Sequence, residues 1–223
     1  MPTVDIKGTK FDFNGDPDHC PRYHHGIEPI RIGSNVVNKD DYSVLQILYR
    51  CPRSVCEEAF IANYRQNLNQ YHHRYEGVFI LRSTVPFRPQ EPDIPSEIKK
   101  VSPNYFEVYS QSVAAEAYQL DQIAGVGYRK ALEYLIKDYA IHKNEGKTKE
   151  IKEAFLGACI DNYVDDTNVK ACAKRATWLG NDETHYVRKW EEKDINDLKA
   201  LIELTQAWIT TNLLTEKYLK EMK

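Results

Sequence analysis

Two short stretches carry residues able to do chemistry. The first is a pair of Cys-Pro-Arg sequences, Cys20-Pro21-Arg22 and Cys51-Pro52-Arg53, with His24 and His25 close behind one and Cys56 behind the other. Thiolates and imidazoles in two pairs are what a tetrahedral structural zinc ion requires. The candidate ligands are Cys20, His24 or His25, Cys51 and Cys56. Their spacing is looser than the C-x2-C of a zinc ribbon, and the competing reading is a set of unmetallated residues in a small β domain. Four protein ligands would close the site to water and make its role structural.

The second stretch is the run from Gly180 to Tyr186, GNDETHY, flanked by Trp178 and Trp190. It brings an amide, two carboxylates and an imidazole close together. His185 could serve as a general acid or base near neutral pH, with Asn181 and Asp182 orienting it and Arg175 or Arg129 supplying positive charge. The same residues also suit a helix end, with Asn181 in a left-handed turn and Asp182 and Glu183 capping the next turn. His72, His73 and His142 have no partner at ligand spacing and read as surface or interhelical residues. Cys159 and Cys172 read as core thiols on apolar faces.

The elements that must position these groups differ between the two halves of the chain. Residues 1–88 look β-rich, with short alternating or β-branched runs at KFDF, SVLQILY and EGVFILRSTVPF. The stretch CEEAFIANYRQNLNQY fits either a strand or a short helix. Pro89, Pro92 and Pro95 then recur every third residue, which predicts an extended linker over 89–101. From 102 to 223 the pattern is helical, and five helices are expected to form a bundle. Ser102-Pro103 reads as the start of the first, with Phe106, Tyr109, Val113, Ala117 and Leu120 as its buried stripe.

The second helix is central, with Tyr128, Leu132, Leu135, Ile136 and Tyr139 on one face. Arg129, Glu133 and Lys137 lie on the other side and are expected to face solvent. Gly125 and Gly127 precede that run. A dinucleotide fold needs a strand before its glycines and a P-loop needs Gly-Lys-Ser/Thr, and neither is present. Close approach of a neighbouring helix, or a kink, is the remaining use for them. The third helix carries Ile151, Phe155, Cys159 and Tyr163. The fourth carries Val169, Cys172, Ala173 and Ala176 and is expected to stop at Gly180. The last begins at Asp194, with Leu198, Leu201, Ile202, Thr205, Trp208 and Ile209 as its stripe.

Composition sets the outer bounds. With 223 residues, 42% hydrophobic and 28% charged, the chain reads as a globular protein of one or two domains. No run approaches a membrane span, the first ten residues lack a signal segment, and five cysteines do not read as a disulfide framework. A cytoplasmic location without membrane contact is the expectation. Residues 1–102 carry 13 basic and 13 acidic side chains and residues 103–223 carry 17 and 20, so neither half has the basic excess of a bulk nucleic-acid binder.

At GVGYRKALEYLIKDYA, with the later GNDETH, the sequence resembles a bacterial family of unknown function found alone or fused to restriction and other defence enzymes. That family often carries Cys-Pro-x-Cys knuckles before a segment like FIANY. Here Tyr23 stands where its second cysteine would fall, so His24 or His25 must replace the missing ligand. The helical half is also similar to the HEPN superfamily of α-bundles, which commonly dimerise and include metal-independent ribonucleases. Those use an arginine and a histidine separated by four to six residues. The residues at that spacing before His185 are Gly180, Leu179 and Trp178, so any arginine must come from elsewhere in the fold.

The resemblance implies an α+β chain, a zinc-ribbon-like β half followed by a five-helix HEPN-like bundle. It also implies a homodimer or a defence-system protein partner, with RNA as a possible substrate.

Overall fold

The chain divides into two compact units, Met1–Gln90 and Glu91–Lys223. The computed structural model describes residues 1–69 and 74–222, so His72 and His73 lie outside the described residues.

In the first unit, β1 (Thr3–Ile6) and β2 (Thr9–Asp12) form a hairpin. A second, four-stranded antiparallel sheet runs in chain order through β3 (Ile30–Asn38), β4 (Ser43–Arg50), β5 (Ala59–Asn69) and β6 (Arg74–Val85). The stretch compatible with helix or strand is thus strand β5. Its period-two alternation decides the matter: Phe60, Ala62 and Tyr64 are buried on one face beside Leu45, Ile47 and Tyr49 of β4. Phe13 and Phe79 complete this small core. At its margin Asp16 gathers polar groups that burial would otherwise leave unpaired. Tyr49 donates its hydroxyl to Asp16 Oδ1 at 2.5 Å, and Arg31 reaches both carboxylate oxygens at 2.8 Å. Tyr64 donates to the Gly15 carbonyl at 3.0 Å.

The second unit contains α1 (Ser96–Val101), α2 (Pro103–Ala117), α3 (Asp121–Lys143), α4 (Thr148–Glu153), α5 (Leu156–Tyr163), α6 (Thr167–Asp182) and α7 (Ile195–Glu221). It therefore has seven described helices where five were expected, and two corrections account for the difference. The predicted linker ends early, because Ile94 and Ile98 are buried in the helical core and α1 forms around Ile98. The expected third helix is broken, because Ala154 and Phe155 adopt extended backbone and Phe155 is 89% exposed.

Packing follows the apolar stripes closely. Tyr128, Leu132, Leu135, Ile136 and Tyr139 of α3 are all buried, as are Leu198, Ile202, Thr205 and Ile209 of α7, whereas Leu201 of the expected α7 stripe is half-buried and Trp208 is exposed. On α2 the buried face is turned from the expected one: Tyr105, Tyr109 and Ser112 are buried, whereas Ala117 and Leu120 are exposed. Ser102 does not cap α2 through its side chain; buried, it donates its hydroxyl to Asp138 at 2.5 Å. Asp194 caps α7 in a full capping box with Asp197. Cys159 is fully buried and Cys172 half-buried. Among the described residues, no helix is long and apolar enough to cross a membrane.

Candidate functional site

The Cys-Pro-Arg sequences lie at the bases of two hairpin-like loops. In the first, Cys20 N donates to His25 O at 3.0 Å and Ile27 N to Asp18 O at 2.8 Å. The second joins β4 to β5, and Cys51 N donates to Glu58 O at 3.0 Å. Proline after each cysteine fixes that residue's backbone and removes one donor. In the first loop the N–H groups of Arg22 and Tyr23 then point at Cys20 Sγ.

The loops bring four donor atoms together. Cys20 Sγ lies 3.8 Å from Cys56 Sγ, and Cys51 Sγ lies 3.8 Å from His25 Nε2. The donor atoms of Cys20, His25 and Cys51 are all within 4.8 Å of one another. Cys20 and Cys51 are buried, and all five cysteines of the chain are free. Three soft donors thus meet within ligating reach of one small cation, and Cys56 joins them through its contact with Cys20.

Of the two candidate histidines, the structure brings His25 to the cluster and not His24. His24 sits at φ +55°, its Nε2 lies 2.6 Å from the Arg88 carbonyl oxygen, and its ring meets the edge of Phe87. The histidine whose donor atom meets those of Cys20 and Cys51 is His25, not His24. A signal for this was present in the sequence: Cys20 to His25 and Cys51 to Cys56 are both separations of five, giving one pattern, Cys-Pro-Arg-x-x-(His/Cys), twice.

Electrostatics suit metal ligation. Burial and the neighbouring Arg53 guanidinium both hold His25 below its ordinary range and so favour the neutral imidazole. Burial opposes ionisation of Cys20, but the backbone N–H groups of Arg22 and Tyr23, together with the Cys56 and Cys51 thiols, outweigh it and bring that thiol down. Burial first, and the adjacent thiols next, push Cys56 up to about 11. In the metal-free cluster Cys20 is therefore the thiol that ionises ahead of Cys56.

The loop after α6 is built differently from its sequence reading. Gly180 is inside α6, which continues to Asp182. Its missing side chain leaves room for Arg129 of α3: a Cβ at 180 would sit 2.5 Å from Arg129 Cδ. A Cβ at Gly125 would likewise sit 2.6 Å from Glu183 Oε2, and one at Gly127 would collide with Ser112 of α2. The two α3 glycines thus serve close packing, as one of their expected uses.

The charged side of α3 is not free to solvent, because α4 and α6 pack over it. Arg129 donates to Asn181 Oδ1 at 3.0 Å and pairs with Glu133 at 3.4 Å, and Lys137 pairs with Glu133 at 2.8 Å and donates to the Lys152 carbonyl at 3.0 Å.

Asp182 is buried and accepts the N–H groups of Lys189 and Trp190 at 2.8 and 2.7 Å, fixing the loop. Trp190 stacks on Trp178 with ring centroids 6.2 Å apart. His185 is exposed and lines a groove of about 420 Å³ with Trp178, Asn181, Asp182, Lys189 and Trp190. Arg175 lines a separate groove beyond the indole pair and donates to Ala171 O of its own helix. His142 is exposed, 3.7 Å from Glu216.

Comparison with protein-family models, curated proteins and solved structures returns no match.

Proposed function

We propose that the chain is a binding module whose β unit is stapled by a structural zinc ion held by Cys20, His25, Cys51 and Cys56. One observation carries the metal: a zinc ion with tetrahedral bonds of about 2.3 Å to sulfur sets its sulfurs about 3.8 Å apart, and Cys20 and Cys56 are separated by 3.8 Å. Three thiolates and a neutral imidazole suit zinc and leave no open position for substrate water. The small sheet core stands to gain from such a staple, because metal binding free energy becomes folding free energy.

Binding, through self-association or a partner protein of a bacterial defence system, is the role that the sequence resemblance implies for a chain whose helical half has no Arg/His pair at the expected spacing. Metal analysis of the purified protein tests the staple: one zinc per chain is expected, and Cys51→Ser is expected to lose it. Absence of stoichiometric zinc from protein prepared without chelator would sink it.

A second reading, a HEPN-type ribonuclease, is favoured by one contact. Arg129 fills the space beside Gly180 and bonds Asn181, four residues before His185. In this reading His185 is the acid or base at a ribose hydroxyl, Asn181 orients it, and Arg129 stabilises the developing phosphorane charge. Asp182 is a loop anchor, and Arg175 lines the other groove. An RNA-cleavage assay of wild type beside His185→Ala separates the readings. Multiple turnovers lost in the variant would replace the binding module with the enzyme.

A further inference from the structure

The two Cys-Pro-Arg loops do more than present ligands, because the arginine of each reaches into the other. Arg22, two residues after Cys20, places Nε 2.6 Å from Glu58 Oε2, at the end of the second loop. Its N–H is buried and not aligned for a hydrogen bond, so the contact is an ion pair. Arg53, two residues after Cys51, donates to the Gly26 carbonyl at 3.3 Å, one residue past His25 of the first loop. The exchange is reciprocal, with the same position of each motif gripping the residue just beyond the other loop's ligand pair or one further on. Each carbonyl or carboxylate so gripped adjoins a backbone group that closes a loop: Glu58 O accepts from Cys51 N, and Gly26 lies between His25 and the Ile27 N–H that donates to Asp18.

From this geometry we infer that Arg22 and Arg53 are positioning residues for the metal, a mutual clasp that holds the two half-sites at tetrahedral spacing. The inference rests on the zinc reading above. Neither arginine supplies a donor atom to the cluster. Each fixes the distance between two ligand pairs that would otherwise be joined only through separate loops. Partners outside the ligand shell commonly change metal affinity about 10–100-fold. Arginine suits the task because it stays charged whatever the metal does to its surroundings.

The test is zinc affinity, measured by competition with a chromophoric chelator on the full chain, together with the absorption spectrum of the cobalt-loaded protein. Arg22→Glu is expected to weaken zinc about 10–100-fold, and adding Glu58→Arg to the same chain is expected to restore it by exchanging the charges. Arg53→Ala is expected to weaken zinc and to shift the cobalt ligand-field bands while leaving the thiolate charge-transfer intensity unchanged, since the ligands are the same. Should Arg22→Glu fail to fold, Arg22→Lys and Arg22→Gln replace it, with affinity kept in the first and lost in the second.

Wild-type zinc affinity in Arg22→Glu or Arg53→Ala, or no recovery in the charge-exchanged pair, would overturn the clasp while leaving the zinc site standing. A wild-type chain that takes up neither zinc nor cobalt would overturn both.

Discussion

At the scale of single residues, the donor set makes a sharp distinction between two adjacent histidines. His25→Ala is expected to weaken zinc strongly, whereas His24→Ala keeps one zinc per chain, because it is His25 whose donor atom meets those of Cys20 and Cys51. His25→Cys should retain the metal and add one thiolate's intensity to the cobalt charge-transfer band. Metal titration of the three variants checks this. The ambiguity between these histidines in the sequence has a physical origin. Neither fits the tight two-residue knuckle of a zinc ribbon, and only the other loop of the same chain supplies the spacing that separates them.

Asp16 shows the opposite case, a residue with no motif around it. Burial alone would raise its carboxyl, yet the Arg31 and Tyr49 hydrogen bonds outweigh that and hold it below the usual carboxylate range. A depressed folded value means stability that is complete above the unfolded carboxylate range, about pH 4, and is lost as pH falls through the folded value. Asp16→Asn is therefore expected to destabilise the first unit by about 1–3 kcal/mol at neutral pH, mainly by weakening the partner of the buried Tyr49 hydroxyl. The deficit should shrink on acidification. Chemical denaturation at several pH values measures it, and a deficit constant down to the acid limit would contradict the account.

At the scale of elements, close approach of α3 and α6 decides what the glycines tolerate. Gly180→Ala leaves helix propensity better than before, by about 1 kcal/mol, but drives a methyl into Arg129 Cδ and Cβ. Overpacking of this kind costs about 1–3 kcal/mol, and the side chain cannot retreat freely while it bonds Asn181 and Glu133. The net expectation is a loss of stability, and pairing the change with Arg129→Ala should remove most of the clash. Equilibrium unfolding of the two single variants and the double forms the cycle that tests this.

The apolar faces of α3 and α7 were legible because several large side chains recur at helical spacing on each. The face of α2 was not, since tyrosines bury their rings while reaching polar partners, as Tyr105 does with Gln206 at 2.9 Å. Phe155 misled for a simpler reason: its spacing from Ile151 and Cys159 is helical, but the backbone at Ala154 and Phe155 is not.

At the scale of the whole molecule, two units with separate cores place the division earlier than the prolines suggest. Ile94 and Ile98 contribute to the helical core. A fragment beginning at Glu91 is expected to be more stable than one beginning at Ser102, by about 2–5 kcal/mol for each large side chain removed. Thermal melts of both fragments check this, and equal stability would return residues 91–101 to the status of a linker. Proline spacing reports only where a chain cannot continue a helix. It is silent about the isoleucine that anchors the segment.

The cavity left by Gly180 and occupied by Arg129 has a further consequence, for inheritance. The two positions share one volume, so neither can change size independently without cost. Related chains that carry a side chain at the position of Gly180 should carry a shorter residue at that of Arg129. An arginine arriving at the first position would release the second altogether. Such a swap would move a guanidinium from one helix to its neighbour while keeping it beside the same asparagine, so the charge would be inherited even as the helix that supplies it changed.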